Sequence, residues 1–202
     1  MADLWKSLAT AFTLGLTAVA LSSRPGNPPS FWESLRADGP RPEHAEKLML
    51  YGQLVGSWEG DVFDYESDGT RRASRGEWHF GWVLEGRAIQ DVFIVPPRST
   101  RAGGVPAGQR NTYGATLRVY DPKSDTWSIT WVSAVSGVRN TLVGRKQGED
   151  IVQEGTDEDG NPIRWIFSDI TPDSFRWRGE VSHDQGKTWS KEAEFFLRRS
   201  GG

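Results

Sequence analysis

The segment 78–93 reads Trp-His-Phe-Gly-Trp-Val-Leu-Glu-Gly-Arg-Ala-Ile-Gln-Asp-Val-Phe. Two runs rich in aromatic and β-branched residues flank a Glu-Gly pair, which is the pattern of a β-hairpin with a tight turn. Whether the turn is the pair Glu85-Gly86 or the four residues 84–87, Phe80 lies directly opposite Asp91, and alternate residues share one face. The face that we expect to be buried carries Trp78, Phe80, Trp82, Ile89, Asp91 and Phe93.

Runs of the same kind recur along the chain from residue 56 onward, separated by turn residues such as Asp68-Gly69 and Asp159-Gly160. Short turns make consecutive strands antiparallel neighbours, and a long meander leaves two exposed edges unless the sheet closes. We therefore predict an all-β fold, a closed antiparallel up-and-down barrel of about ten strands with an N-terminal helical extension. The predicted strands are 56–65, 71–83, 87–95, 113–120, 126–134, 138–146, 150–156, 162–170, 174–182 and 188–198.

A short motif at the first strand, Gly56-Ser57-Trp58, resembles the Gly-x-Trp opening of the calycin superfamily of lipocalins and fatty-acid-binding proteins. Together with the stretch 81–88 and the number of strands, it makes residues 48–198 resemble a family of uncharacterised bacterial calycin-like barrels. The resemblance implies a closed barrel with an internal pocket, with Trp58 plugging one end. It implies no reaction.

The chain before the barrel has a different character. We assign residues 1–47 to an N-terminal helical extension with a Pro/Gly-rich linker, and residues 48–202 to the barrel. In the extension, apolar residues recur four apart, which predicts an amphipathic helix whose apolar face could lie on the barrel, on a second subunit of a homodimer or on a membrane surface. These residues are Leu4, Leu8, Phe12 and Leu16.

The same N-terminal stretch decides the predicted location. We expect a cytoplasmic protein that retains this helix; the alternative is an exported protein, with residues 1–20 as a signal peptide. The apolar run 8–21 is too short to span a bilayer. In the linker, the pair Phe31-Trp32 is expected to be anchored against the protein, and residues 42–52 are predicted to form a short helix.

The composition excludes several classes of function. The chain has 24 Lys and Arg against 27 Asp and Glu, so no basic excess points to a nucleic-acid partner. It has no cysteine, and its three histidines are far apart in the sequence without metal-ligand spacing. We therefore expect no metal site and no cofactor.

Strand parity predicts which side chains face the interior. A four-residue turn at 122–125 directs Arg118 inward, next to Asp91 on the neighbouring strand, so we predict a buried ion pair. On the last strand the same alternation directs Trp189, Ala193 and Phe195 inward. In strand 150–156 the sequence leaves open whether Gln153 or Glu154 faces inward. The candidate ligand-binding residues are Trp78, Trp82, Asp91, Arg118, Trp131, Asn140, Trp165 and Trp177.

Two functions are compatible with this interior. The first is a binding protein that holds a small hydrophobic or aromatic ligand, with Arg98, Arg101 and Arg110 of the long loop 96–111 favouring an anionic group at the barrel mouth. The alternative is a cofactor-independent cyclase, isomerase or hydrolase in which Asp91 acts as general acid or base. The loop itself is either a lid over the pocket or a solvated surface connection. The sequence does not identify the ligand.

The segment from Ser182 to Trp189 matches the Asp-box of sialidases and related propellers, Ser-x-Asp-x-Gly-x-Thr-Trp. A single copy, without the arginine cluster expected of such enzymes, predicts a stabilised hairpin turn in which Asp184 accepts hydrogen bonds from the loop.

Overall fold

The structure of the 202-residue chain is a computed structural model that describes residues 28–201. The predicted amphipathic helix, and the alternative signal peptide, lie outside the described residues. Within 28–201, no helix combines the length and the apolar character that crossing a membrane requires.

Short elements precede the barrel. They are helix α1 (Phe31–Leu35), strand β1 (Arg36–Ala37), a 3-10 turn (Pro42–His44) and helix α2 (Ala45–Gly52). The last two together form the helix predicted over 42–52. Ten longer strands follow: β2 (Gly56–Tyr65), β3 (Arg71–Val83), β4 (Ala88–Val95), β5 (Thr112–Asp121), β6 (Thr126–Ser133), β7 (Arg139–Gln147), β8 (Asp150–Thr156), β9 (Pro162–Ser168), β10 (Ser174–Val181) and β11 (Ser190–Arg199).

The ten strands β2 to β11 form a closed barrel. Each pairs antiparallel with the strand before and after it in sequence, and β2 pairs with both β3 and β11, so the sheet has no free edge between them. Closure satisfies the backbone groups that an open meander would expose. The predicted fold class is confirmed.

The hairpin of β3 and β4 has the predicted register, with Phe80 opposite Asp91. Its turn is the four-residue alternative, because the strands end at Val83 and resume at Ala88. Gly86 in this turn has a φ of 76°, and a Cβ there would come within 2.2 Å of the carbonyl oxygen of Gly39. Only glycine fits a left-handed position with so close a backbone neighbour.

Helix α2 closes the end of the barrel at which β2 begins, which we call the closed end. Its Tyr51 ring packs edge-on against Trp127, with 4.8 Å between ring centroids, and Gly144 makes room for it, since a Cβ there would lie 2.4 Å from the Tyr51 hydroxyl. The indole of Trp58 is fully buried and donates to the carbonyl of Leu54 over 2.7 Å. The opposite end, which we call the open end, lacks such a plug among the described residues.

The prediction that Phe31 and Trp32 are anchored is wrong. Both side chains are exposed, at 69% and 71%, and they contact each other edge-on. Helix α1 is instead held by a local capping box in which Ser30 and Glu33 bond each other's backbone N–H groups. Local hydrogen bonds suffice to start this helix, so burial of its aromatic pair is not required.

The inward orientation predicted for Trp189 is also wrong. In the β10–β11 ladder, Gly179 pairs with Ala193 but Glu180 pairs with Lys191, so Glu192 is an extra residue in a β-bulge. Because the bulge adds one residue, the residues before it point to the face opposite to the one that simple alternation predicts. Trp189 therefore lies outside the barrel, where Arg164 stacks on its ring at 4.1 Å.

The Asp-box segment forms the predicted stabilised turn. Asp184 accepts from the backbone N–H of Thr188 over 2.8 Å and from its hydroxyl over 2.6 Å, while Ser182 accepts from the N–H of Gly186 over 2.7 Å. These hydrogen bonds, those from Thr188 first, lower the pKa of Asp184 to about 2.

Candidate functional site

A cavity of about 100 Å³ lies inside the barrel, on the side of its open end. Its wall is predominantly aromatic, and its few polar side chains come from β5 and from the loop that precedes it. We call it the inner cavity. It is lined by Trp78, Phe93, Arg110, Thr116, Arg118, Trp131, Trp165, Trp177 and Phe195.

A second cavity of about 370 Å³ lies at the open end and shares Arg110, Trp165 and Trp177 with the inner cavity. We call it the mouth. Because the same three side chains border both spaces, they separate the interior from solvent. The other residues of the mouth are Asp64, Val138, Asn140, Asp157, Glu158, Asp159, Ile163, Gly179, Glu192 and Ala193.

The aromatic rings of the inner cavity pack against one another. Trp177 stacks on Phe195 with 4.4 Å between centroids, and it meets Trp165 edge-on at 5.8 Å. Trp165 in turn contacts Trp131 at 6.5 Å. Both Trp131 and Trp165 retain partial exposure, whereas Trp177 is buried. The indoles of Trp131 and Trp165 are therefore the rings whose surface is not fully covered by other residues.

Asp91 and Arg118 form the predicted buried ion pair. Their side chains are 0% and 1% exposed, and one guanidinium nitrogen of Arg118 donates to Asp91 Oδ2. The hydroxyl of Thr116 donates to the other carboxylate oxygen over 3.1 Å. Both oxygens of Asp91 are thus engaged, and the charge of Arg118 is balanced next to it.

Aromatic rings surround the Arg118 guanidinium. It lies 5.2 Å from the ring centroid of Tyr51, 5.5 Å from that of Phe80 and 5.7 Å from that of Phe167, distances at which a cation is attracted to a ring face. Burial raises the pKa of the Tyr51 phenol above its usual range, and the charge of Arg118 opposes this only in part. Tyr51 therefore stays a neutral hydroxyl.

Several buried polar atoms of the interior have no hydrogen-bond partner among the described residues. They include Trp78 Nε1, Arg118 Nε and both amide atoms of Gln153. Gln153 is the inward residue of the pair that the sequence left open, and it is fully buried. Asn140 Oδ1 at the mouth also lacks a partner. Buried polar groups normally have partners. Trp78 and Arg118 line the inner cavity and Asn140 lines the mouth, so a polar atom from outside the described chain would be stabilised beside these three side chains.

Only one of the three loop arginines reaches the mouth. Arg98 binds Glu77 on the outer surface, with 2.6 Å between Nε and Oε1, and Arg101 donates to the carbonyl of Val95 over 2.9 Å. Arg110 lies against the ring of Phe195, at 5.4 Å, and pairs with Asp64. The prediction of a positively charged mouth is therefore wrong, because two arginines are used to fasten the loop to the barrel.

The mouth is acidic instead, with five carboxylates and one guanidinium among its lining residues. The β-bulge brings Glu192 to this rim. Partial desolvation, and then the charge of Asp157, raise the pKa of Glu192, although the residue reaches solvent. Burial also raises the pKa of Asp64, against the opposing effect of Arg110.

The structure brings together five of the eight candidate residues at the inner cavity: Trp78, Arg118, Trp131, Trp165 and Trp177. Asn140 lines the mouth, and Asp91 lies behind Arg118 without lining either cavity. Trp82 lies at the closed end. Its ring packs so closely on Gly52 that a Cβ added to this glycine would lie 2.5 Å from it. Trp82 lines neither cavity, because helix α2 covers its ring, so it does not fit the predicted role of a ligand contact.

Arg110 and Glu192 are not among the eight candidate ligand-binding residues, although Arg110 was expected at the barrel mouth. Arg110 lies in a loop, where strand parity has no meaning, and only its position directly before β5 placed it near the barrel. Glu192 lies at the mouth because it is the extra residue of the β11 bulge, and no residue pattern in the sequence indicates that bulge. Among residues 28–201, no group of three or more histidine and acidic side chains is arranged to hold a metal ion.

No protein-family model matches the chain, and no curated protein sequence matches it significantly. Solved structures do. Rv2717c from M. tuberculosis aligns with a TM-score of 0.55 and 15% identity over 80% of this chain and 99% of its own. The S-type phycobiliprotein lyase CPES from Guillardia theta aligns with a TM-score of 0.54 and 10% identity over 81% of this chain and 99% of its own. At these identities the likeness shows the fold alone, and that fold is a closed calycin-like β-barrel of ten strands.

Proposed function

We propose that this protein binds a small, flat, largely hydrophobic or aromatic molecule in the inner cavity, reached through the mouth. The observation that carries the proposal is the combination of a tryptophan-lined cavity with buried hydrogen-bond donors that lack partners among the described residues. Pockets for small molecules are typically apolar with a few well-placed polar groups.

The size of the two spaces indicates how a ligand would lie. An inner cavity of about 100 Å³ is smaller than most ligand pockets, whereas the mouth is of the usual size. A bound molecule would therefore place one end in the inner cavity, beside the rings of Trp131 and Trp165, and keep the other end in the mouth.

The fold is compatible with such a role. One barrel of similar fold is named as a phycobiliprotein lyase, so this architecture serves as more than a structural scaffold in at least one other protein.

The environment of Asp91 does not favour the enzymatic alternative. A general base needs a free lone pair directed at its substrate. Both carboxylate oxygens of Asp91 are engaged, by Arg118 and Thr116, and the residue lines neither cavity. This is the arrangement of a structural ion pair.

The test is binding of the neutral fluorescent probe N-phenyl-1-naphthylamine. Ala193 lines the mouth and is buried, so Ala193→Phe would obstruct the entrance. Ala115→Phe is the matched control, because Ala115 is adjacent to the inward Thr116 and therefore faces outward. We expect wild type and Ala115→Phe to bind the probe alike, and Ala193→Phe to bind at least about tenfold more weakly, the effect of about 1.4 kcal/mol.

Absence of binding by the wild type would refute the proposal. Equal binding by both variants would also refute it, because the probe would then be held elsewhere. Circular dichroism of the two variants is recorded to check that each retains the barrel.

A further inference from the structure

The inner cavity has donors but almost no acceptors. Trp78 and Arg118 are 4% and 1% exposed, line the cavity, and each has an N–H without a partner among the described residues. Indole and guanidinium groups donate hydrogen bonds and accept none. Among residues 28–201, every polar side chain that lines this cavity is a donor, apart from the hydroxyl of Thr116, which donates to Asp91. The inner end of a ligand must then be a hydrogen-bond acceptor.

Charge balance selects a neutral acceptor over an anion. The positive charge of Arg118 is already compensated by Asp91. Arg110, the other cation of the lining, is likewise paired, with Asp64. A further buried carboxylate would have to share a cation that already has its counter-charge, and it would lose its hydration without full compensation. A carbonyl or amide oxygen accepts from Trp78 and Arg118 without this cost.

The mouth has the opposite character. Its lining contains five carboxylates, and its one cation, Arg110, is paired with Asp64. Asn140 Oδ1 is in addition a buried acceptor without a donor among the described residues. The rim therefore attracts positive charge and offers acceptors to a ligand N–H.

We infer that the ligand is a flat aromatic molecule with a neutral carbonyl or amide oxygen at its inner end and a protonated amine at its outer end. This inference rests on the proposed function and adds the chemical class and the orientation. The acceptor lies between Trp78 and Arg118, the ring lies among Trp131 and Trp165, and the ammonium group lies near Glu192.

The experiment compares four small probes built on the same para-disubstituted benzene ring. 4-(Aminomethyl)benzamide carries both end groups, 4-methylbenzylamine lacks the acceptor, 4-methylbenzamide lacks the cation, and 4-(aminomethyl)benzoate replaces the amide by an anion. Each is titrated to millimolar concentration while the indole N–H signals are recorded by NMR. We expect the first to bind about fivefold more tightly than each of the others, the effect of one hydrogen bond or one partly screened charge.

Two variants test the orientation. Trp78→Phe is expected to weaken 4-(aminomethyl)benzamide more than 4-methylbenzylamine, whereas Glu192→Gln is expected to weaken the three probes that carry an amine more than 4-methylbenzamide. The comparison of probes with and without the amine on Glu192→Gln changes no buried core residue. It therefore keeps the test decisive if Trp78→Phe folds poorly.

The outcomes separate this inference from the proposed function. If all four probes bind equally and Ala193→Phe abolishes their binding, the cavity is a ligand site but the inferred class is wrong. Tighter binding of the benzoate than of the amide would overturn the neutral acceptor. If N-phenyl-1-naphthylamine binds and none of the four probes does, the inferred class is overturned; if nothing binds, the proposed function fails with it.

Discussion

Replacement of Asp91 by alanine should destabilise the barrel strongly. The carboxylate and its partner Arg118 are 0% and 1% exposed, so neither exchanges its partner for water in the folded state. Asp91→Ala leaves a buried guanidinium without a counter-charge and removes the acceptor of the Thr116 hydroxyl. The rings around Arg118 attract the cation but do not neutralise it.

The expected cost is about 3–5 kcal/mol, the usual effect of removing one partner from a buried pair. For a chain of this size each kcal/mol lowers Tm by about 2–4 °C, so a decrease of about 6–20 °C is expected. The double variant Asp91→Ala/Arg118→Met removes both charges and should recover most of the loss, since replacing a whole buried pair by apolar groups is often nearly neutral.

The assay is urea denaturation followed by tryptophan fluorescence and circular dichroism. Glu154→Ala is the matched control, because Glu154 pairs with Arg145 across two strands at 3.1 Å while both side chains are nearly half exposed. That variant should lose about 0–1 kcal/mol. If Asp91→Ala loses no more than Glu154→Ala, or if the double variant is less stable than the single one, the reasoning on the buried pair is refuted.

Two further variants test the turns. Gly86→Ala should cost at least about 1 kcal/mol more than Gly69→Ala in urea denaturation, because both glycines have positive φ but only at Gly86 would the new Cβ meet backbone, and equal losses would contradict the role assigned to that contact. The pKa of Asp184 is about 2, below its usual 3.8, so its stabilising effect is complete above pH about 4 and is lost as the pH falls through about 2. The Tm of Asp184→Asn should therefore lie below that of the wild type at pH 7 and converge with it as the pH falls below about 2; a Tm difference that stays constant from pH 4 to below pH 2 would argue against these hydrogen bonds as the cause.

The ten-strand barrel follows from the sequence because its physical signals are local. Turn residues separate each run from the next, and alternation along a strand fixes which residues face inward. The pairing of Asp91 with Arg118 was predictable for the same reason, since the two even-length turns fix the registers of β3 with β4 and of β5 with β6, and each hairpin then has one charged inward residue on the strand that faces the other. The register of β8 follows in the same way from the two-residue turn 148–149, which places Gln153 opposite Gly144 and therefore inward; without assigning that turn, the choice between Gln153 and Glu154 stays open.

The rest of the site depends on features with no local signal. The bulge at Glu192 inserts one residue into β11, which turns Trp189 outward and brings a carboxylate to the mouth. The loop 96–111 carries three arginines, and only tertiary contacts decide that Arg110 alone turns to the interior. The helix α2 covers Trp82, which alternation assigns to the same face as Trp78.

The indole N–H spectrum of the ¹⁵N-labelled protein, recorded with and without N-phenyl-1-naphthylamine, tests the central claim most directly. The four indoles that line the inner cavity, Trp78, Trp131, Trp165 and Trp177, should shift on binding. Trp58, Trp82 and Trp127 at the closed end, and Trp32 and Trp189 outside the barrel, should not. If only the indoles outside the inner cavity shift, or if no indole shifts at all, the result would contradict a ligand site inside the barrel.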